Sequence, residues 1–338
     1  MKILITGASG FLGGHLVRKA VESNFETFAG VRATSNVSQF KDLSSVTFVD
    51  LPYINKEKLK SYLLECKNQW GTFDYIIHNA GITKCKHESD FDSVNFENTR
   101  NFVEALIETD TVPRKFIYIS SLGAVGPGND KTLEPLTLTD TPKPNTLYGL
   151  SKLKSEEFLQ STIDFPYLVV RPTGIYGPED KEYNIYVSTI NKGFEPYLGF
   201  KPQYLSFIYV TDLVNVIFSM LEGNITRKAY FVSDGQTYTQ QEYAQLIKKY
   251  LHRKTLKITL PLSIIKALFY GFDVIGGCIG KVPTLNADKY KIMSARNWVC
   301  DISELKKDFN YTPHYLLEDG VRETVDWFLK QKKSSKKK

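Results

Sequence analysis

The chain has little that would staple it, anchor it or charge it strongly. Its four cysteines, Cys66, Cys85, Cys278 and Cys300, are scattered and form no C-x-x-C pair. That spacing argues against a disulfide frame and a zinc site, so no metal is expected, and it suits a reduced, cytoplasmic protein. No run of about 20 apolar residues exists, so no integral membrane segment is expected. No secretory leader is expected either, because Met1 leads straight into an apolar strand. No basic stripe is interleaved with exposed aromatics, which argues against a nucleic-acid partner. Net charge is +6, but five of the last seven residues are lysines. Without them the balance is about +1, so the basicity belongs to residues 331–338, which read as a disordered, solubilising tail. An electrostatic hold on an anionic membrane or on nucleic acid is the lesser reading of that tail.

What remains is 338 residues with 42% hydrophobic content, enough for a large α/β domain and a smaller lobe. Lys2 to Thr6 (KILIT) reads as a buried parallel strand. It runs into Gly7-Ala8-Ser9-Gly10-Phe11-Leu12-Gly13 and a helix from Gly14 to Asn24. A G-x-x-G-x-x-G turn between strand and helix brings backbone N–H groups to a helix N-terminus, where a pyrophosphate binds. The second strand, Glu26 to Val31, ends in Val31-Arg32-Ala33-Thr34-Ser35. An NAD site usually puts a carboxylate there, on the ribose 2′-OH. Here a guanidinium takes that place, and it can pair with a 2′-phosphate and stack on adenine. NADP(H) is therefore expected, with NAD(H) as the alternative.

Val46 to Val49 is a third strand, followed by Asp50, which suits either an adenine contact or an ordinary turn. Leu59 to Trp70 reads as a helix. Asp74 to His78 is a fourth strand, and the small residues of Asn79-Ala80-Gly81 leave room for a ribose and a diphosphate. A helix is predicted from Asp92 to Thr109, with Asn95 and Thr99 on one face. Asn95 either braces a site or is merely structural. Lys115 to Ile119 is a fifth strand, ending in Ser120-Ser121 at the edge where ligands bind in open α/β sheets. Gly126 to Asn145 is a polar, Pro-rich loop suited to covering a substrate. Tyr148 and Lys152 then stand four apart, on one face of a helix. An ammonium beside a phenol lowers the tyrosine pKa and suits it to proton transfer at an alcohol or ketone carbon.

Seven stretches in this order resemble the extended short-chain dehydrogenase/reductase family. They are Thr6 to Gly13, Asp50-Leu51, His78 to Gly81, Ser120-Ser121, Tyr148 with Lys152, Arg171 to Pro178, and Phe207 to Leu213. The likeness covers nearly the whole chain up to the tail. It implies a doubly wound Rossmann domain over residues 1–170, with later strands returning from about 207–232. A smaller α/β substrate lobe would occupy 171–330. It implies Tyr148 as general acid/base, Lys152 holding the nicotinamide ribose, and Ser121 hydrogen-bonding the substrate oxygen. Gly7, Gly10, Phe11, Leu12, Gly13, Arg32, Asp50, Leu51, Ala80, Gly81 and Pro172 would join Tyr148 and Lys152 at the cofactor. A homodimer through the helices of Asn95–Thr109 and Tyr148–Ser161 is implied by analogy.

Dehydratases of this family tend to carry Asp-Glu after the catalytic Ser/Thr. Leu122-Gly123 stands there, which disfavours dehydration and leaves epimerisation open. In the lobe, helices are predicted for Ile185 to Lys192 and for Thr211 to Leu221, with Thr211 or Asp212 near the cap of the latter. A strand is predicted for Tyr230 to Val232, and a capping box at Thr239 to Glu242. The apolar stretch from Leu260 to Val282 places Leu262, Ile265, Phe269, Phe272 and Ile275 at near-helical spacing. It reads as a core helix, as the wall of an apolar pocket, or as a weak membrane-surface contact. Three functions follow: an NADP(H)-dependent oxidoreductase on a secondary alcohol or ketone, a nucleotide-sugar epimerase with tightly held NAD, or a non-catalytic dinucleotide sensor. A small-molecule substrate is the expected partner.

Overall fold

A computed structural model describes residues 1–279 and 287–335. The chain forms two compact units: residues 1–124, 147–171 and 214–230, and residues 125–146, 172–213 and 231–338.

The first unit is built on β1 (Lys2–Thr6), β2 (Glu26–Gly30), β3 (Val46–Val49), β4 (Tyr75–His78), β5 (Lys115–Ile119) and β6 (Tyr167–Pro172). These strands pair in parallel in the order β6-β5-β4-β1-β2-β3. That order is the doubly wound one, and it reverses between β1 and β4. Helices cover both faces, so central strands have no polar side: all five residues of β5 are buried. α1 (Phe11–Glu22), α2 (Lys56–Trp70), α3 (Ser89–Phe91), α4 (Asn98–Glu108) and α5 (Leu147–Ser161) supply that cover. Leu59 and Leu63 of α2 and Phe102 and Leu106 of α4 pack with Phe28, Ile76 and Phe116 of the strands.

The second unit holds shorter pieces. β7 (Gly174–Tyr176) lies parallel to β10 (Phe207–Tyr209), and β8 (Phe194–Leu198) to β13 (Leu256–Leu260). β9 (Tyr204–Leu205) sits between β12 (Tyr238–Thr239) and β14 (Asn297–Trp298). β11 (Lys228–Val232) returns to the edge of the large sheet beside β6. α6 (Glu182–Asn191) and α8 (Gln240–Leu251) enclose an aromatic cluster of Tyr176, Phe207, Tyr209 and Tyr243 with Val321 and Val325 of α12 (Leu317–Ser335). At the start of α7 (Val210–Ser219), Asp212 accepts hydrogen bonds from the backbone of His314 and Tyr315, 2.9 and 2.8 Å away.

Several boundaries differ from the sequence reading, each for a local reason. α1 begins at Phe11 rather than Gly14, because Gly10 itself is the cap. α2 begins at Lys56 rather than Leu59, since the Asn55 side chain accepts the Lys58 N–H at 2.9 Å. α6 begins at Glu182 rather than Ile185, where the Asp180 carboxylate accepts from the Glu182 and Tyr183 N–H groups. The helix predicted from Asp92 is π-helical from Asp92 to Glu97 before α4. Thr239 and Glu242 form the predicted capping box. The loop 125–146 belongs to the second unit: Gly128 N–H bonds Asn297 O at 2.9 Å, and Leu136 bridges to Cys300.

Two expectations need correction. Residues 331–335 continue α12 as helix instead of beginning a disordered tail, and 336–338 lie outside the described residues. The apolar stretch forms α9 (Leu262–Ile279), but it is not a plain core helix. Ile265 and Phe269 are buried, whereas Phe272 is 41% exposed; the Ile275 side chain and Val282 lie outside the described residues. α10 (Ala287–Ser294) and α11 (Ser303–Phe309) complete the unit.

An alanine in an exposed helix is worth about 0.5–1 kcal/mol over glycine. Gly320 in α12 reverses that rule, since a Cβ there would lie 2.2 Å from Tyr176 Oη. Tyr176 is buried and has no room to yield. Gly320→Ala is expected to destabilise the protein by about 1–3 kcal/mol, read as a lower Tm; a higher Tm would show that α12 shifts freely.

Candidate active site

The turn after β1 is shaped by contacts that only glycine permits. Gly7 has φ +63°, and a Cβ there would meet the Asn79 oxygen at 2.7 Å. A Cβ on Gly13 would lie 2.2 Å from the Gly7 oxygen. The close fit brings β1, the loop after β4 and the start of α1 together at the switch point. Gly10 caps α1 with no side-chain hydrogen bond, so the first-turn N–H groups, including those of Leu12 and Gly13, keep their donors for a ligand. This cradle fits a dinucleotide pyrophosphate.

At the ends of β2 and β3, Arg32 is exposed and Asp50 accepts the Ala33 N–H at 2.9 Å. Asp50 therefore holds the turn that follows β2, the ordinary role weighed for it. Leu51 is buried in the core beneath Gly30, so only its backbone can face a ligand. Pro172 is buried at the end of β6.

A column of buried polar groups ties these loops to α5. Thr6 Oγ1 accepts the N–H groups of Asn79 and Ala80, at 3.1 and 3.0 Å. Its own hydrogen is thereby left for His78 Nδ1, 3.0 Å away. On the other side Thr99 Oγ1 donates to Asn95 O at 2.7 Å, so it accepts from His78 Nε2–H at 3.1 Å. His78 is thus a neutral imidazole with its proton on Nε2. Burial, with the Lys152 charge adding to it, pushes its pKa down to about 3. Asn95, in the π-helical stretch, accepts the Ile82 N–H at 2.8 Å and donates to Ile82 O and to Ser151 Oγ. Ser151 in turn donates to Tyr148 O at 2.8 Å. The Asn95 amide braces the loop after β4 against α5. The sequence reading did not assign Thr6, His78 or Ser151 to this column, nor Ser155, whose Oγ donates to Asn95 O at 3.0 Å; their signal was polar residues on otherwise apolar faces.

α5 carries Tyr148 and Lys152 one turn apart, and Tyr148 stacks at a tilt on Phe91. Lys152 is buried, and its Nζ donates to Ile119 O at 2.8 Å and lies 4.8 Å above the Tyr118 ring. A Cβ on Gly81 would sit 3.3 Å from this Nζ, so Gly81 brings the loop after β4 up to the ammonium. Burial pushes the Lys152 pKa down to about 8, against the raising effect of the Glu156 carboxylate. Glu156 itself is held by Arg171 Nε at 3.0 Å and by Ser120. Ser121 Oγ accepts the Gly123 N–H at 3.0 Å, which keeps its own hydrogen for another acceptor. The first unit thus brings Ser121, Tyr148 and Lys152 onto one sheet edge and its covering helix.

The folded His78 binds its proton only near pH 3, against 6.5 when unfolded. The stability that depends on neutral His78 is therefore fully present above about pH 6.5 and is lost on acidification towards 3, by about 1.4 kcal/mol per pH unit. His78→Asn is expected to flatten that acid limb in pH-dependent denaturant titrations; an unchanged limb would place the loss elsewhere. For Lys152 the folded value of about 8 lies below the ordinary 10.5. The unfolded chain then binds more protons between those values, and stability rises with pH across the window. Lys152→Met is expected to stabilise the protein by about 1–3 kcal/mol near pH 7 and to remove the alkaline gain. A loss of stability would mean that the bond to Ile119 O outweighs the burial of charge.

UDP-glucose 4-epimerase of Vibrio cholerae is 24% identical, over 97% of this chain and 95% of its own. A 3-beta-hydroxysteroid dehydrogenase of Mycolicibacterium neoaurum is 23% identical, over 97% and 91%. Among solved structures, UDP-glucuronic acid 4-epimerase from Bacillus cereus in complex with NAD matches with a TM-score of 0.76 at 19% identity, over 98% and 99%. The sequence model of the NAD dependent epimerase/dehydratase family matches residues 3–232. With its Rossmann sheet and the extended short-chain dehydrogenase/reductase motifs in order, the chain belongs to that family.

Proposed function

We propose that this chain is an oxidoreductase acting between a secondary alcohol and the corresponding ketone, with NADP(H) as its preferred co-substrate. The observation that carries the reading is a lysine buried one helical turn from Tyr148, held by a backbone carbonyl rather than by a carboxylate. A charge kept in that position, at a cost in stability, has a use at Tyr148.

When bound, the dinucleotide supplies or takes the hydride at the carbinol carbon. Everything else falls to groups of the chain itself. The Gly7 to Gly13 cradle and the α1 N-terminus hold the diphosphate through backbone N–H groups. Ser121 donates its free hydrogen to the substrate oxygen. Tyr148 gives that oxygen a proton in reduction and takes it in oxidation. The Lys152 ammonium favours the phenolate and so brings the proton affinity of Tyr148 towards working pH. Arg32, exposed at the end of β2 with no carboxylate from Val31 to Ser35, supports a 2′-phosphate.

A second reading is nucleotide-sugar epimerisation with retained NAD. It is favoured by the epimerase of Vibrio cholerae and by the NAD-bound epimerase structure from Bacillus cereus. The two readings part at the cofactor. Freshly purified protein is expected to lose dinucleotide on dialysis and to bind NADPH more tightly than NADH. Arg32→Ala should weaken NADPH about tenfold and leave NADH nearly unchanged. Tyr148→Phe should lower kcat on a ketone panel by about 100-fold or more, with dinucleotide affinity intact. NAD⁺ retained through dialysis would favour the epimerase, and near-normal turnover in Tyr148→Phe would remove both readings.

A further inference from the structure

The second unit carries an apolar surface that its own core leaves uncovered. In the β8–β13 pair, Phe194 stands opposite Leu256, Pro196 opposite Ile258, and Leu198 opposite Leu260. Paired residues of parallel strands share a face, and their neighbours point the other way. Glu195 and Tyr197 take the inner face; both are buried, and Tyr197 packs with Val187 and Ile190 of α6. The outer face is built from the six apolar side chains alone, and none of them is buried. Phe194 is 48% exposed and Leu256 64%.

The surface continues into α9. β13 passes through Pro261 directly into this helix, and Leu262 lies against Gly199 at the end of β8. Phe200, the next residue, is 79% exposed. Ile264, Leu268 and Phe272 follow at four-residue spacing and form an exposed stripe beside the buried one of Ile265 and Phe269. Apolar groups in such number, in adjoining elements, mark an interaction site rather than ordinary surface scatter.

The exposed charges of the segments that build this surface are cationic, although α9 continues into Asp273 and α10, which packs on α9, carries Asp288. Residues 192–203 and 252–272 contain Lys192, Lys201, Arg253, Lys254 and Lys266, all exposed, and also Lys257, which shares the opposite sheet face with Glu195. The one acid in those segments, Glu195, is buried and paired with Lys248 at 2.9 Å. We propose that this face, β8–β13 with Phe200 and the exposed stripe of α9, docks on an anionic phospholipid surface. The apolar side chains enter the interface, and the cations meet lipid phosphates and carboxylates. A second copy of the chain fits less well, because a two-fold contact would set like charges against each other. No helix among the described residues is long and apolar enough to cross a membrane, so the protein would lie on the surface. This inference stands apart from the proposed reaction and needs none of its residues.

The test is co-sedimentation of the full chain with phosphatidylcholine vesicles, with and without phosphatidylserine. Binding is expected only with phosphatidylserine and should weaken steeply with added salt. The double variant Phe200→Ser/Leu268→Ser and the triple variant Lys201→Glu/Lys254→Glu/Lys266→Glu should each bind more than about tenfold less. Both variants replace exposed groups, and an unchanged melting curve confirms that each is folded. Removing residues 331–338, with their five lysines, should leave most of the binding in place. Three results would overturn the proposal: no binding to phosphatidylserine vesicles, binding lost with the tail but not with the face, or variants that change only the oligomeric state in light scattering.

Discussion

Thr6 Oγ1 has one hydrogen to give and two backbone N–H groups to satisfy, and much of the first unit depends on how it does so. By accepting from Asn79 and Ala80 it fixes the loop after β4, and its hydrogen then goes to His78. The imidazole must stay neutral to fit between two hydroxyls in a site without water access. Its tautomer sets the direction of the hydrogen bonds as far as Asn95. From there the side-chain amide reaches both the loop at Ile82 and Ser151 on α5. A half-satisfied network would be worse than an apolar core. Here each member has its donors and acceptors matched, so the column is rigid and aligns the loop after β4 with the helix that carries Tyr148.

The same geometry explains why an ammonium is tolerated in the protein interior. Lys152 is held by a backbone carbonyl, an aromatic face and the more distant Glu156, without a direct carboxylate partner. A close ion pair would restore its ordinary pKa and would also quench its field at Tyr148. Glu156 is instead claimed by Arg171 and Ser120. The arrangement keeps the lysine ammonium on a backbone carbonyl one helical turn from Tyr148.

The two units solve the problem of burial differently. In the first, parallel strands are covered on both faces and read as nearly continuous apolar runs. In the second, short strands and aromatic rings build the core, one sheet face is left partly exposed and one stripe of α9 is left exposed. That exposed stripe accounts for the ambiguity of the Leu260 to Val282 stretch: a helix apolar on two sides has one side for its own core and one for something else.

Much of this was legible in the chain itself. The first five strands of the large sheet, the glycine turn, the capping box and the Tyr148–Lys152 spacing are local patterns, and local backbone preference suffices to place them, whereas β6 is given only by the family resemblance. The helix starts at Lys56 and Glu182 escape a reading of spacing alone, although Asn55 and Asp180 stand just before them in the sequence, since such a residue is recognised only once its side chain is seen to reach a backbone N–H. Other features depend on residues far apart in the chain. The π-helical turn at Asn95, the neutral tautomer of His78, the core position of Leu51 and the assignment of 125–146 to the second unit have no local signature. Side-chain spacing determined which residues could share a face. Only the tertiary structure decided which of those faces were buried, because burial and hydrogen-bond partnership come from packing against distant strands and loops.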